Sequence, residues 1–457
     1  MSDRIEAFAN PSRCSAFSPC RLQHLLSDGI GSSGKDRQCR LNQRMNHTKS
    51  SDRKLRVAID CRMNDFQQGI GTAVQALAKA LSDSSIQDQE YTFIVRESLR
   101  DCLVPYIYGP CRLKTIPDSK LSGVKAALRW IAPLRFLWRK IRGDSARIPS
   151  SDGYVESQGF DVVHFPTQVA YLTKLPTIYQ PWDLQHLHYP NFFSKEEFAR
   201  RELQYRAFCE QATYVCVQTD WTKQDVLHHF GLAKEKLEVI PWGPVFDAYQ
   251  DPSEEECRDA VKKYKLPGRF FFYPAVTWPH KNHEIILRAI HILKGGDDVV
   301  PHVYFTGAST PHRVTLEKLA DELGVSENVH YLGFVTSTEL QAIFKVATAM
   351  IFPSKFEGFG LPILEAFHAR LPVLSSNAST LPDVAGEGAL YFNPDSSGEL
   401  SSLMKDILDS QELRQSLIDK GSLVLLDYSM DRTAASFQEL YVKTAALTLK
   451  ESRLAEH

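Results

Sequence analysis

The chain has 457 residues, a formal net charge of −2, and 43% hydrophobic and 24% charged residues. That length exceeds what one hydrophobic core serves and predicts two or three domains, while the near-neutral charge excludes a general nucleic-acid binder. No apolar run reaches the roughly 18–20 residues that a membrane span needs.

Residues 1–54 carry ten Lys/Arg against five Asp/Glu, with no sustained hydrophobic period, and read as a disordered N-terminal extension. They show no basic-then-apolar leader order. The nine cysteines form no C-x-x-C pair and read as free thiols of a reducing compartment, so a cytoplasmic setting is expected. Order begins with a strand at Arg56–Asp60, followed by Gly69-Ile-Gly71 and a helix over Thr72–Leu81. Strands are expected at Tyr91–Val95, Phe160–Phe165, Thr177–Gln180, Thr213–Thr219 and Leu237–Pro241, with helices at Ser194–Glu210 and Trp221–Phe230. Pro241-Trp-Gly-Pro244 and the acidic Asp251–Glu256 read as a boundary. The pattern then restarts, with strands at Phe270–Pro274, His302–Thr306, Val329–Gly333, Thr348–Phe352, Pro372–Ser375 and Ala389–Phe392 and a helix at Glu284–Leu293. Closing helices fall around Leu400–Leu408 and Arg432–Leu447. Short buried strands alternating with helices predict parallel, doubly wound sheets. The expected organisation is a Rossmann-like domain over 55–243, a second over 244–430, and a C-terminal helix and tail over 431–457, with a cleft between the domains as the natural site.

One segment departs from this plan. Lys120–Arg142 holds seven basic residues and no acid, interleaved with Trp130, Ile131, Leu134, Phe136, Leu137 and Trp138. Such a stretch reads as an interfacial helix on anionic lipid, kinked at Pro133, or as a surface helix packing its aromatics on its own domain.

The richest motif is Ser354-Lys-Phe-Glu-Gly-Phe-Gly-Leu-Pro-Ile-Leu-Glu365. Gly358 and Gly360 permit a tight turn after a buried strand, and Pro362 suits a first helical turn. Glu357 is then expected in the loop and Glu365 in the helix's first turn, with bare N–H groups and a positive helix end between them. This is an arrangement for a ligand bearing both phosphates and hydroxyls. Without a ligand, a first-turn Glu is also simply stabilised by the helix dipole. Lys281 in Trp278-Pro-His-Lys-Asn-His283 would stand at the C-terminal edge of the second sheet, with Asn282 as N-cap, and suits a diphosphate. In the first domain, Gly69 and Gly71 could let backbone approach a phosphate or form a plain turn. Asp183, His186 and His188 follow a strand; polar contacts to a sugar or an acceptor hydroxyl fit them better than a metal, for which no further ligand cluster is in view.

From about Val57 to Leu447 the chain resembles the retaining glycosyltransferases of GT-B fold in glycosyltransferase family 4 (glycosyl transferases group 1). The resemblance rests on Gly69-Ile-Gly71, Lys281-Asn282, the Glu357–Glu365 pair, and Leu381-Pro-Asp-Val-Ala-Gly386 with Ala389-Leu-Tyr-Phe-Asn-Pro394. It implies a nucleotide-diphospho-sugar donor held by the C-terminal domain and a sugar or lipid-linked acceptor on the N-terminal domain. It also implies the roles: Glu357 on donor-sugar hydroxyls, Glu365 on the ribose, Lys281 on the diphosphate, and backbone groups at Phe359 and Gly360 orienting the donor. Front-face transfer with the leaving phosphate taking the acceptor's proton comes with the family, as do polysaccharide, lipopolysaccharide or glycolipid synthesis and hexosyl, including mannosyl, transfer. No cofactor, metal or nucleic acid is expected, and the protein would be cytoplasmic or peripheral on the inner membrane face. Two departures stand out. Tyr273-Pro-Ala-Val-Thr-Trp278, just before the lysine, lacks the family's frequent Arg, leaving the diphosphate to Lys281, helix dipoles and His280. Trp182 replaces the usual His before Asp183, a role His186 is expected to take. A nucleotide-sugar epimerase of the same fold, or a catalytically silent nucleotide-sugar-binding protein, is the alternative.

Overall fold

Seven short strands, buried except along the edge strands β3 and β7, build the first sheet: β1 (Leu55–Asp60), β2 (Gln89–Arg96), β3 (Cys111–Ile116), β4 (Val162–Phe165), β5 (Thr177–Tyr179), β6 (Tyr214–Val217) and β7 (Leu237–Val239). Every pairing is parallel and the order is β3-β2-β1-β4-β5-β6-β7. A sheet buried on both faces needs continuous apolar strands, and Val57, Ile59, Val162, Val163, Ile178, Val215 and Val217 supply them with no exposed surface. In this computed structural model the described residues are 53–62, 69–118, 147–245, 251–296 and 300–455. The extension read over 1–54, except its last two residues, and the basic segment 120–142 lie outside them.

The second sheet has six parallel strands: β8 (Phe270–Pro274), β9 (His302–Thr306), β10 (Val329–Gly333), β11 (Ala349–Phe352), β12 (Val373–Ser376) and β13 (Ala389–Phe392), in the order β10-β9-β8-β11-β12-β13. Each sheet therefore reverses its winding once, between β1 and β4 in the first and between β8 and β11 in the second. The loops leaving the strands on either side of such a reversal diverge and open a crevice at the C-terminal edge, where α/β sheets take their ligands. The loops after β8 and β11 carry Lys281 and Glu357; those after β1, β4 and β5 carry Gly69, Gln168 and Asp183.

Several elements differ from the sequence reading. The strand β3 and the helices His312–Glu322, Ser337–Val346 and Gln411–Leu425 were not expected. The acidic run near 251–256, read as a boundary, opens the helix Glu254–Tyr264: Ser253 and Glu256 form a reciprocal capping box there, and three glutamates occupy its first turn. The C-terminal helix Met430–Ala455 is no appendage of the second domain. It crosses back onto the first, where Tyr441 Oη meets His164 Nδ1 at 2.9 Å, Gln438 Nε2 donates to Tyr91 Oη at 2.9 Å, and Thr433 Oγ1 donates to the Pro241 carbonyl at 2.8 Å. Gly243 lies against this helix's start, where a Cβ would fall 2.3 Å from the Met430 nitrogen. No disulfide joins the described cysteines Cys61, Cys102, Cys111, Cys209, Cys216 and Cys257 to one another. No helix among the described residues is long and apolar enough to cross a membrane.

Candidate active site

After β8 the chain makes a single 3-10 turn, Pro279–Lys281, and then the helix His283–Lys294. Asn282 sits at the N-cap position but does not cap with its side chain. It is held at φ 57°, a left-handed conformation that Asn tolerates better than most residues. Its amide instead donates to the carbonyls of Pro353 (3.0 Å) and Pro394 (2.7 Å). Tyr273 Oη donates to the Lys281 carbonyl at 3.0 Å and lies 3.0 Å from Ser354 Oγ. The Lys355 N–H donates to the His280 carbonyl at 2.8 Å. These bonds stitch the loop after β8 to the loop after β11, and so fix Lys281 against Glu357.

Lys281 Nζ and Glu357 Oε1 form an ion pair at 2.6 Å, with side chains 21% and 14% exposed. Burial alone would raise the Glu357 carboxyl, but the charge and hydrogen bond of Lys281 beside it hold it below the usual carboxylate range. The Glu357 backbone is clasped from the loop after β12: its N–H donates to Ser379 Oγ at 2.9 Å, and its carbonyl accepts from Ser379 Oγ at 3.0 Å. Thr380 Oγ1 lies 3.1 Å from the Phe359 carbonyl. The next three N–H groups, of Gly358, Phe359 and Gly360, donate to no described residue. Gly360, at φ 113°, then starts the helix Leu361–His368. Successive unengaged N–H groups at a helix start form an anion cradle.

Because that helix begins at Leu361, Glu365 lies in its second turn, not the first as expected, and is beyond the reach of the N-terminal dipole. It is only 8% exposed, its carboxyl makes no hydrogen bond to a described residue, and that carboxyl is pushed up to about 8 by burial. It is therefore mostly protonated at neutral pH and can donate as well as accept a hydrogen bond.

From the first domain, Trp182 adopts φ 66°. Its indole N–H donates to the Pro166 carbonyl at 2.8 Å and its ring packs 5.3 Å from Trp242. The residue replacing the family's usual His is thus a core wedge that turns the backbone. The turn presents Asp183, whose Oδ1 accepts from the Gln185 N–H at 3.0 Å. Burial raises its carboxyl, opposed by that N–H and by the Arg201 charge, while Glu357 raises it further and Lys281 lowers it. Asp183, Glu357 and Lys281 therefore share one electrostatic neighbourhood across the cleft. The domains also touch here directly: Tyr189 Oη donates to the Lys355 carbonyl at 3.2 Å and the Trp221 N–H to Asp383 Oδ2 at 3.2 Å. Gly358 presses on the Trp182 carbonyl, where a Cβ would come within 2.5 Å.

His186 does not join this group. It has no exposed surface, and its ring is enclosed by Phe193, Phe198 and Tyr205 at 5.4–6.5 Å. Its Nε2 lies 3.5 Å from Glu202 Oε2, and burial lowers its pKa to about 4. It is a core histidine and cannot take the place of the missing one. His280, likewise, is held neutral by burial and by the adjacent Lys281, its pKa lowered to about 4, so it offers no second cation. His188 turns away from Asp183 and pairs with Asp225. Gly69, at φ 51°, and the buried Gly71 open the helix Ile70–Asp83 at the end of β1, with no hydrogen bond to the Lys281–Glu357 pair. The Phe359 side chain is buried, 6.1 Å from the Tyr428 ring, which leaves only its backbone for a ligand. Sequence reading passed over Ser354, Ser379 and Thr380; the hydroxyl-rich Ser375-Ser-Asn-Ala-Ser-Thr380 at the end of β12 was the available signal.

Residues 254–423 match the family model described as glycosyl transferases group 1. O-antigen chain mannosyltransferase B of Escherichia coli is 25% identical over 234 residues, 51% of this chain and 61% of that protein. The MMP alpha-(1->4)-mannosyltransferase of Mycolicibacterium hassiacum is 30% identical over 226 residues, 49% of this chain and 52% of that protein. The chain spans about half the length of these relatives. The crystal structure of Anabaena Alr3699/HepE in complex with UDP and glucose superposes with a TM-score of 0.64 at 14% identity, covering 85% of this chain and 100% of that one, a likeness of fold. With two doubly wound domains about a cleft, the chain carries the GT-B fold, and a segment of its second domain is similar to the glycosyl transferases group 1.

Proposed function

We propose that this protein is a retaining glycosyltransferase. It moves a hexose, mannose being the sugar named for both relatives above, from a nucleotide-diphospho-sugar to an acceptor hydroxyl in polysaccharide, lipopolysaccharide or glycolipid synthesis. The observation that carries this is the Lys281–Glu357 pair beside three unengaged N–H groups, at the winding reversal of the second sheet and opposite Asp183. Lys281 and those N–H groups would hold the diphosphate and stabilise charge as it departs. Lys281 then trades Glu357 for phosphate, freeing the Glu357 carboxylate to accept from donor-sugar hydroxyls. Glu365 would bond the ribose. Asp183 closes the far side of the cleft against the sugar. No metal or cofactor enters this reading, and catalysis rests on positioning and preorganised charge. The acceptor, a sugar or a lipid-linked one, would sit on the first domain, reached at the inner membrane face through 120–142.

The test is acceptor-dependent release of nucleoside diphosphate from a panel of UDP- and GDP-sugars, with NMR of the new anomeric centre. Product of retained configuration is expected. Sugar isomerisation without acceptor, or binding without turnover, would overturn the reading.

A further inference from the structure

Outside this site, three potential metal ligands converge from two helices of the first domain. His188 ends the short helix Gln185–His188, and Asp225 and His229 stand one turn apart on Asp220–Phe230. One ligand atom from each lies within 4.8 Å of the others. His188 Nε2 is 2.8 Å from Asp225 Oδ1, and His229 Nε2 is 3.4 Å from the same oxygen. The Asp225 side chain is only 6% exposed, and its second oxygen, Oδ2, finds no hydrogen-bond partner among the described residues. A buried carboxylate oxygen left without a partner is costly, and that gap points to a ligand. The two imidazoles are 29% and 30% exposed, which leaves a path from solvent.

We propose that His188, Asp225 and His229 bind a divalent transition-metal ion of the zinc type. Two imidazoles and one carboxylate suit such an ion and are a poor set for calcium or magnesium, which take oxygen ligands. Tetrahedral zinc at about 2.0–2.1 Å from nitrogen sets its ligands about 3.3 Å apart; His229 Nε2 already stands 3.4 Å from Asp225 Oδ1, and small side-chain shifts bring His188 to the same geometry. Three protein ligands leave a fourth position for water. The role is positional. The His188 ring packs 4.8 Å from Phe356, the residue before Glu357, and 5.6 Å from Trp221, whose N–H reaches Asp383 in the second domain. An ion here ties both helices into one wall, against which the Glu357 loop seats.

The untagged full-length chain, stripped with chelator, is titrated calorimetrically with zinc. Wild type is expected to bind one equivalent, with affinity lowered about 100-fold or more in His229→Ala and Asp225→Asn; even outer-shell changes at metal sites cost about 10–100-fold. His302→Ala, which breaks a close histidine pair in the second domain (His302 Nδ1 and His330 Nε2 at 2.9 Å), is expected to leave binding unchanged. The half-buried His229 site keeps the test valid even if Asp225→Asn misfolds. Absence of saturable binding at micromolar zinc would overturn the proposal. So would binding that survives His229→Ala or is lost in His302→Ala.

Discussion

Removing Lys281 should do two separable things. At 2.6 Å and an effective dielectric of about 20, the Lys281–Glu357 attraction is on the order of 6 kcal/mol before desolvation, which offsets most of it. Breaking a fully buried pair by deleting one partner costs roughly 3–5 kcal/mol. With the two side chains 21% and 14% exposed, about 2–3 kcal/mol is expected for Lys281→Met, because Glu357 is stranded. Lys281→Met with Glu357→Gln removes the stranded charge and should recover most of that loss. Neither variant should transfer sugar: turnover is expected to fall about 10³-fold, as when a preorganised electrostatic donor is removed. Urea unfolding reads the first effect and acceptor-dependent diphosphate release the second. The sign with pH follows from Glu357 being held below its ordinary range. The pair's stabilisation is present above the unfolded carboxyl value and is lost as pH falls through the folded one, so wild type and the double variant should converge in acid. A double variant no more stable than Lys281→Met alone, or Lys281→Met turning over within about tenfold of wild type, would refute this account.

Three further outcomes are expected. Gly358→Ala sets a methyl 2.5 Å from the Trp182 carbonyl, so the domains must part locally; stability should fall by about 1–3 kcal/mol and transfer more than tenfold, and unchanged kinetics would show that closure at this contact is not needed. The Glu365 carboxyl, pushed up to about 8 by burial, stabilises the fold fully below its unfolded value and loses that contribution as pH rises to 8. Urea unfolding from pH 5 to 8 should therefore show Glu365→Gln gaining on wild type by up to about 1.4 kcal/mol per pH unit, and a constant difference would contradict a buried, protonated Glu365. His186→Leu should fold with wild-type stability or better, since both ring nitrogens lack hydrogen-bond partners among the described residues, and should keep transfer within a few-fold; a 100-fold loss would restore His186 to the site.

Much of this architecture is readable from the chain because parallel strands buried on both faces leave uninterrupted apolar runs. Phe270–Pro274 and His302–Thr306 appear with their observed ends. The strand β3, Cys111-Arg-Leu-Lys-Thr-Ile116, was illegible for the opposite reason: as an edge strand it alternates basic and apolar residues and buries only Cys111. At the site, strand-end position brings Lys281, Glu357 and Asp183 together. His186 and His188 could not be sorted by that rule, because residues two apart on a helical turn face different ways; one ring enters the core and the other meets Asp225. Glu365 was misplaced by one turn because the start of its helix depends on Gly360 at φ 113°. The clasp of Ser379 on Glu357 and the seat of Gly358 on Trp182 join residues far apart in sequence, and no local pattern announces them.

The return of the last helix to the first domain has a mechanical consequence. The polypeptide passes between the domains twice, once after Pro241 and again just before Met430, and the two passages touch where Gly243 meets Ser429 and Met430. Thr433 binds both the Pro241 carbonyl and the Gly243 N–H. A single tether would let the domains swivel about any direction. Two tethers fastened side by side gather the inter-domain connections at one place, so any change in the angle between the domains must be taken up at Gly243, Ser429 and Met430.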